Sequence, residues 1–492
     1  MELAAELRRA LDGVCAAGAP EVRENGEWIA ALDGVHYEVR AQGEAALLHL
    51  WSAQQSLVRR VVSLAEESRE RVVVEVVRFG HTRRARLEFV AAEAREPRHV
   101  DRAQFSDRLR QILSDRFPDE NVDSLLTSAD LRHSISGSYT RGLTHRGSEA
   151  FAVLGASPNE DAATIDGILT FGLIWLQQTR DRAKRHSVWG LRLFLPRGKA
   201  AITSHRLNAL AAPQEVELYE YDPLYWRVRR VALSDAGNLA TWIVPRREIE
   251  QAIAAALPHA ERIRLLAPEA IGIGVAPATQ EVTLRFRGLE FARWRLGAMW
   301  FGLGDHQDVL TPEKWPALET LVRQLDARRH PLASDTKHRL YRAQPERWLE
   351  TMVAADLARI DARLDPRQIY TQVPAFSSGD RGIIDLLAAT RDGRLAVLEL
   401  KAFEDIHLVM QAVDYWLRVR WHQDRDDFRR FGYFPDTPLK AKPPLLYLVA
   451  PGFRFHPALD IVLRYLSPEI EVSRTGLAEN WRRGLKVVFR QQ

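Results

Sequence analysis

The sequence predicts a mixed α/β protein with more than one domain. Its 492 residues exceed what one hydrophobic core usually holds, so two or three domains are expected. Helical apolar spacing and strand patterns alternate along the chain, which favours sheets with helices on their faces. Polar, turn-rich stretches divide it into an N-terminal α+β domain over residues 1–105, a middle α+β domain over 106–333 and a C-terminal domain over 338–492.

The composition is that of an ordinary folded protein. Hydrophobic residues make up 46% and charged residues 27%, and a formal net charge of +4 argues only weakly for nucleic acid as a partner. The single cysteine, Cys15, excludes an intrachain disulfide and a cysteine-based zinc site, which indicates a cytoplasmic location. No signal peptide is expected. The most apolar stretch, residues 165–176, is too short to span a membrane and predicts a buried helix, so no membrane partner is expected.

Apolar periodicity gives the elements of the first two-thirds. A short helix opens the chain, residues 44–68 have the spacing of a second helix, and "RVVVEVVRF" with "ARLEFVAA" predicts two paired strands around a basic turn. The middle region mixes strands with helices, among them residues 163–184 and 311–330. These patterns predict no particular activity for the first two-thirds.

The C-terminal region has the clearest order of elements. An amphipathic helix begins at Pro345 and is followed by three strands, "QIYTQVPAF", "RGIIDLLAAT" and "RLAVLELKA". Asp392-Gly393 predicts a hairpin turn between the last two strands. A helix with Glu404 and Asp405 at its start, another strand and further elements complete the region. The order α-β-β-β-α-β predicts one mixed sheet with helices on its faces.

Three charged residues interrupt the apolar strands of this region. Asp385 lies in one strand of the predicted hairpin and Glu399 in the other, and strands pair at about 4.8 Å, so the two carboxylates are expected to converge on one cation. Carboxylate oxygens without Cys or His are the ligands that Mg²⁺ prefers. Lys401 follows Glu399 by two positions and therefore leaves the strand on the same face, where its ammonium could hold an attacking water or stabilise developing phosphate charge. The same pattern also fits a solvated cross-strand ion pair.

Three residues on the flanking helices are further candidates. Glu350, in the preceding helix, could bind the metal directly or through water, although a helix that bears a glutamate is commonplace. Gln411 and Tyr415 are spaced i and i+4 on the following helix, so both lie on one face and could contact a phosphate or simply pack against the sheet.

Asp385, the Glu399-Leu400-Lys401 run and the α-β-β-β-α-β order resemble the PD-(D/E)XK nuclease superfamily. The segment "QAVDY" (411–415) is similar to the QxxxY motif of its RecB-type branch. The resemblance covers roughly residues 340–492 and implies a restriction-endonuclease-like fold. It also implies hydrolysis of phosphodiester bonds, usually in DNA, with Mg²⁺ as cofactor and Mn²⁺ as a substitute. One departure is Ile384, which stands where many members have proline.

The resemblance also implies roles for individual residues. Asp385 and Glu399 match metal ligands, to which the Leu400 carbonyl would add a further one, and Lys401 matches the catalytic lysine. Glu350 matches the acidic residue of the first helix. Gln411 and Tyr415 match the substrate-side motif.

We therefore predict a Mg²⁺-dependent nuclease, with DNA the favoured substrate and the N-terminal regions recognising substrate or a protein partner. Three basic clusters could follow a phosphate backbone or solvate a surface: "HTRRAR" (81–86), "RDRAKRH" (180–186) and "WRVRR" (226–230), the last with Trp226 available for stacking. The alternative is a non-catalytic module that keeps the nuclease fold and binds nucleic acid or protein. A structural protein with an incidental ion pair is a third reading.

Overall fold

The computed structural model describes residues 2–16, 20–24, 27–31, 36–43, 45–51, 56–68, 71–77, 84–90, 102–123, 125–130, 135–232, 241–276, 279, 281–304, 306–377 and 380–492. Its contacts divide the chain into two compact units, one of residues 1–204, 216–234 and 377–381, the other of residues 205–215, 235–376 and 382–492. Several sheets alternate with helices, so the prediction of a mixed α/β protein is confirmed. The three predicted domain ranges stay predictions.

The first sheet of the first unit has seven strands. Its elements are α1 (Glu2–Ala16), β1 (Glu21–Glu24), β2 (Glu27–Ala31), β3 (His36–Gln42), β4 (Ala45–Trp51), β5 (Ser56–Glu67), β6 (Arg71–Val77) and β7 (Arg84–Val90). The strand order is β2-β1-β7-β6-β5-β4-β3. One face packs on α1, whose Leu7, Leu11 and Val14 are fully buried in the same core as Val74 and Phe89.

One predicted helix of this unit is wrong, and one predicted strand pair is confirmed. Within residues 44–68, predicted as helical, the described residues 45–51 and 56–67 form β4 and β5, which pair antiparallel with each other. Alternate residues of β4, namely Ala46, Leu48 and Leu50, are buried. Strands β6 and β7 pair antiparallel as predicted, and the basic turn between them lies outside the described residues.

The second sheet of this unit has six strands. Its elements are α2 (Arg102–Arg116), β8 (Asn121–Val122), β9 (Tyr139–Arg146), β10 (Glu149–Ala156), α3 (Ala162–Asp166), α4 (Ile168–Arg182), β11 (Ser187–Pro196), α5 (Ala201–Leu207), β12 (Val216–Tyr221) and β13 (Val228–Arg230). The order is β13-β12-β11-β10-β9-β8, with β10, β11 and β12 parallel. Helix α4 is buried along most of its length, as predicted for the apolar stretch 165–176.

The second unit begins with a five-stranded antiparallel sheet. Its first elements are β14 (Thr241–Ile243), α6 (Arg246–Arg264), β15 (Ile271–Val275), β16 (Val282–Phe286), β17 (Leu289–Arg295), β18 (Ala298–Leu303), β19 (His306–Val309) and α7 (Trp315–Arg328). Strands β15 to β19 are arranged in chain order. Helix α7 confirms the helix predicted for residues 311–330, and it contributes Leu318, Val322 and Leu325 to the core of this sheet.

The candidate residues belong to a seven-stranded mixed sheet of the same unit. The remaining elements are α8 (Arg339–Arg342), α9 (Pro345–Ala355), α10 (Leu357–Ile360), β20 (Leu364–Ser377), β21 (Asp380–Thr390), β22 (Leu395–Leu400), α11 (Leu408–Asp424), α12 (Asp427–Arg430), β23 (Leu445–Pro451), α13 (Leu459–Arg464), β24 (Val472–Leu477) and β25 (Val487–Gln491). The sheet order is β14-β20-β21-β22-β23-β24-β25. Strand β21 pairs antiparallel with β22, and β22 pairs parallel with β23. The predicted α-β-β-β-α-β order is therefore present.

The turn between β21 and β22 sets the register of the central strands. Gly393 has φ +86°, and a Cβ atom there would lie 2.0 Å from the Pro438 carbonyl oxygen, so only glycine fits. Every residue of β22 is buried, which requires apolar side chains on both faces of the strand. A charged residue in β22 therefore needs a specific partner.

A second glycine turn contacts the helix that precedes these strands. Arg287 and Gly288, at φ +44° and +83°, form the two-residue turn between β16 and β17. A Cβ atom on Gly288 would lie 2.3 Å from the carbonyl oxygen of Arg347, in the first turn of α9. The glycine thus lets the turn touch the backbone of α9 directly.

The described residues contain no helix that is long and apolar enough to cross a membrane.

Candidate active site

The hairpin of β21 and β22 brings the three charged residues to one face of the sheet. The register pairs Leu386 with Leu398, and its next step places Asp385 opposite Glu399. Lys401 Nζ lies 3.6 Å from Glu399 Oε1. Glu399 is 3% exposed, and the side chains of Asp385 and Lys401 are 18% and 13% exposed, so this is a largely buried cluster with an edge that water can reach.

The two carboxyl groups are each driven toward the neutral form. Burial raises the pKa of Glu399 well above its ordinary value, and the negative charge of Asp385 raises it further, against the opposing effect of Lys401. Burial likewise raises the pKa of Asp385, although Arg347 opposes the shift. Oε2 of Glu399 has no hydrogen-bond partner among the described residues. A buried carboxylate oxygen without a donor is a costly group, and a cation would relieve that cost.

The backbone and one arginine orient Asp385. The N–H of Leu400 donates to Asp385 Oδ2 at 3.3 Å, and Arg347 Nη1 lies 3.4 Å from Oδ1. Leu400 itself is buried in the core beneath the sheet. The role predicted for the Leu400 carbonyl as a metal ligand stays a prediction.

Glu350 lies beside Asp385 but is held by other partners. Arg347 Nη1 donates to its Oε2 at 2.8 Å, and Gln372 Nε2 donates to the same oxygen at 2.7 Å. Burial raises the pKa of Glu350 to about 8, the positive charge of Arg347 lowers it, and the charge of Asp385 adds to the rise. Glu350 is therefore joined to Asp385 through Arg347, and its role as a metal ligand stays a prediction.

Glu346 is a site residue that the sequence analysis missed. It lies one turn before Glu350 in α9, and its negative charge raises the pKa of Asp385, of Glu399 and of Lys401. Glu346 therefore acts on the whole cluster. The sequence contains a signal for it, because Glu346 and Glu350 are spaced i and i+4 and must share one face of the helix.

Lys401 is held between two carboxylates. Its Nζ lies 3.3 Å from Asp405 Oδ2, in addition to its contact with Glu399. Burial lowers the pKa of Lys401, but Glu399, Glu346 and Asp405 outweigh burial and raise the pKa overall, so the ammonium form persists at neutral pH.

Asp405 differs from its predicted place. We expected Glu404 and Asp405 to start the helix, but α11 begins at Leu408. Asp405 instead accepts the N–H of His407 at 2.8 Å in the loop before the helix, which turns its carboxylate toward Lys401.

Gln411 and Tyr415 lie on one face of α11, as their spacing predicts. Burial raises the pKa of Tyr415 well above its ordinary value, and the charges of Glu399 and Asp385 raise it further, so the phenol lies close to the carboxyl pair. Gln411 Oε1 is buried and has no hydrogen-bond partner in the described parts of the chain. Their predicted roles toward substrate are untested.

No family model matches the chain, and no curated protein matches it either.

The donor set of the cluster suits a hard divalent cation. Asp385 and Glu399 offer only oxygen, one of these oxygens lacks a donor, and the two charges repel each other unless a cation or proton intervenes. Across the residues that the structure describes, however, no group of three or more His, Cys, Asp or Glu side chains is arranged to hold a metal ion. With Asp385 and Glu399 as the carboxylate ligands, solvent or substrate would supply the others, as is usual for Mg²⁺.

The basic clusters of the first unit are partly engaged in internal contacts. Trp226 stacks on Tyr221 with ring centroids 5.4 Å apart, so one face of its indole is covered. Arg229 in the same cluster pairs with Glu220 at 2.6 Å. In the cluster at 180–186, Lys184 and Arg185 are exposed. Residues 81–83 of the remaining cluster lie outside the described residues.

Proposed function

We propose that this chain is a Mg²⁺-dependent nuclease of the PD-(D/E)XK type, with a restriction-endonuclease-like arrangement in its C-terminal region. The observation that carries the proposal is the buried pair of Asp385 and Glu399 on adjacent strands. Among the described residues, Glu399 Oε2 accepts no hydrogen bond, and the ammonium of Lys401 lies 3.6 Å from Glu399 Oε1. Such a pair is costly for a fold, and it is retained most readily where it binds something. DNA is the favoured nucleic acid.

Each residue of the cluster has a role that follows from its contacts. Asp385 and Glu399 would hold the ion, and the Leu400 N–H and Arg347 fix the orientation of Asp385. Bound Mg²⁺ would polarise the phosphate and activate water as a nucleophile. Lys401 is protonated at neutral pH, so it stabilises negative charge that develops on the phosphate rather than accepting a proton. Tyr415 and Gln411 would donate hydrogen bonds toward the phosphate from α11.

The test is a cleavage assay with the full-length chain. Single-stranded, double-stranded and branched DNA and RNA are incubated with Mg²⁺, Mn²⁺ or EDTA. We expect cleavage that EDTA abolishes, and a loss of roughly a hundredfold or more in Lys401→Ala and Glu399→Gln. Lys440→Ala is the matched control, because Lys440 is a half-exposed lysine paired with Asp392 at the β21–β22 turn. Circular dichroism verifies that each variant is folded.

Two results would reject the proposal. One is the absence of hydrolysis by the wild-type chain on every substrate and with every ion. The other is cleavage by Lys401→Ala at the wild-type rate.

A non-catalytic nucleic-acid- or protein-binding module is the second candidate, and Arg347 is the observation in its favour. The guanidinium 3.4 Å from Asp385 supplies positive charge to the carboxyl cluster without any metal. This candidate predicts binding that EDTA leaves unchanged and no hydrolysis with any ion. The cleavage assay therefore separates the two.

A further inference from the structure

Two loops leave the candidate site at the same edge of the sheet. Strands β22 and β23 are parallel, with Leu400 opposite Val449, and the N–H of Lys401 donates to the Val449 carbonyl at 3.0 Å. The loop after β22 and the loop after β23 therefore both begin at the carboxyl ends of the strands. In open α/β sheets this edge is where ligands bind.

Each of these loops exposes a phenylalanine. Phe403 is 56% exposed and Phe453 is 88% exposed, and every other phenylalanine whose burial the structure describes is at least half-buried. Phe455, two residues after Phe453, packs on Phe489 with ring centroids 5.9 Å apart. The loop thus packs the ring of Phe455 against the protein and leaves the ring of Phe453 exposed to solvent.

Side-chain contacts join the two loops and hold the backbone at Phe453. His456 Nε2 lies 3.8 Å from Glu404 Oε1, which joins the loop after β23 to the loop after β22. The N–H of Phe453 donates to Glu479 Oε1 at 3.3 Å, and Arg454 pairs with the same carboxylate at 3.4 Å. Glu479 therefore holds the turn that presents Phe453, and the contact of His456 with Glu404 links this turn to the loop that carries Phe403.

Both rings lie within reach of a strand bound at the candidate site. Phe403 follows Lys401 by two residues, so their Cα atoms are at most about 7 Å apart. Phe453 follows Val449 by four residues, which limits that separation to about 14 Å. A nucleic-acid strand rises about 3.4 Å per nucleotide in a duplex and more when extended. The rings are therefore placed a few nucleotides at most from the phosphate that Lys401 would contact.

We propose that Phe403 and Phe453 form a base-stacking site that selects single-stranded nucleic acid as the substrate of this chain. The proposal rests on the nuclease function and names its substrate class. An aromatic face stacks on any unpaired base, whereas a duplex covers the faces of its bases with neighbouring pairs. Arg454, the neighbour of Phe453 in the chain, pairs with Glu479, and His456 lies against Glu404, so these loops offer the two rings rather than free positive charge to a ligand.

The test measures binding in EDTA, so that it does not depend on catalysis. Fluorescence anisotropy records the affinity of the full chain for a labelled single strand of mixed sequence and for the same strand in a duplex. We expect the single strand to bind more tightly, and Phe403→Ala and Phe453→Ala each to weaken its binding by roughly fivefold or more. Phe403→Trp and Phe453→Trp keep a stacking face and should retain the affinity.

Two controls separate stacking from other effects. Leu296→Ala and Leu332→Ala remove exposed apolar side chains, 99% and 66% exposed, from other parts of the same unit, and should leave binding unchanged. The slope of log affinity against log salt should be the same in the wild type and the Phe→Ala variants, because a stacked base releases no counterion.

The results decide the inference separately from the nuclease proposal. The inference is overturned if both Phe→Ala variants bind the single strand as the wild type does, or if the duplex binds as tightly as the single strand. It is also overturned if the substitutions change only the association with a protein or a vesicle. Phe-dependent binding without hydrolysis in Mg²⁺ would support the stacking site and reject the nuclease. Hydrolysis at the wild-type rate in both Phe→Ala variants would support the nuclease and reject the stacking site.

Discussion

Gly288→Ala tests how the five-stranded sheet supports the helix that carries Glu346. Gly288 has φ +83°, and an added Cβ would lie 2.3 Å from Arg347 O and 2.7 Å from Trp348 N. Gly297 provides a matched control, because it occupies the second position of the next two-residue turn, at φ +75°, with nothing within 4 Å of an added Cβ. The two substitutions therefore share the backbone cost and differ only in the contact.

The expected magnitudes follow from these distances. A left-handed backbone costs an alanine about 1 kcal/mol relative to glycine, and Gly297→Ala should destabilise the second unit by that amount. Gly288→Ala must also displace the first turn of α9 by about 1 Å to restore an ordinary contact of 3.4 Å. Overpacking of this kind costs about 1–3 kcal/mol, for a total of about 2–4 kcal/mol.

Thermal unfolding followed by circular dichroism measures both variants, and cleavage well below the unfolding temperature reports on the site. Gly288→Ala should lower the unfolding midpoint more than Gly297→Ala does. It should also slow cleavage while still folded, because the shifted turn carries Glu346 and Arg347. Equal midpoints for the two variants would show that α9 does not rest on this turn, and the reasoning would fail.

Three further predictions concern charge. Mg²⁺ or Mn²⁺ should raise the thermal midpoint of the wild type but not of Glu399→Gln, and equal shifts in both would place the ion elsewhere. Glu346→Gln should raise the Mg²⁺ concentration for half-maximal cleavage by roughly tenfold, whereas Glu313→Gln, at an exposed site, should not. Arg394 and Lys442 lower the pKa of Glu471 from 4.5 to about 2, so this stabilisation is present above pH 4.5 and lost as the pH falls to about 2. Glu471→Gln should therefore flatten the acid dependence of unfolding, and an unchanged dependence would contradict the pairing.

The central hairpin could be predicted because two independent signals agree. Asp392-Gly393 marks a two-residue turn, and the apolar runs on either side have the length of strands. A two-residue turn at 392–393 would place Asp385 opposite Leu400. The turn in the structure has one more residue, pairs Leu386 with Leu398 and so places Asp385 opposite Glu399. The structure adds the energetic consequence, which is the raised pKa of both carboxyl groups.

The helix predicted for residues 44–68 shows where periodicity fails. Apolar residues are so frequent in "EAALLHLW" that helical and strand spacings both find matches. The choice is made by distant partners, since β4 lies between β3 and β5 and turns Ala46, Leu48 and Leu50 toward α1. Sequence proximity carries no information about those partners, so the strand could not be inferred locally.

Sequence spacing predicts the positions of some acidic residues of the site, and tertiary packing determines the contacts of the others. The presence of Glu346 in the site could have been predicted, because it is spaced i, i+4 from Glu350 on the same helix. The hydrogen bond from Gln372 to Glu350 could not be predicted, because Gln372 lies in β20 and contacts the helix only in the folded chain. The position of Asp405 in a loop could not be predicted either, because an acidic residue before an apolar helical pattern is the ordinary sign of a helix start.

The charge balance of the cluster gives a reason for a divalent cation that no single residue supplies. The cluster contains four carboxylates, Asp385, Glu399, Glu346 and Asp405, and two cations, Lys401 and Arg347. Adding Glu350 and the nearby Arg285 leaves the same formal excess of two negative charges. A buried site tolerates such an excess either by binding protons or by binding a cation of charge +2. The raised pKa of Glu399 favours the first of these solutions, and a divalent ion would provide the second in place of a proton.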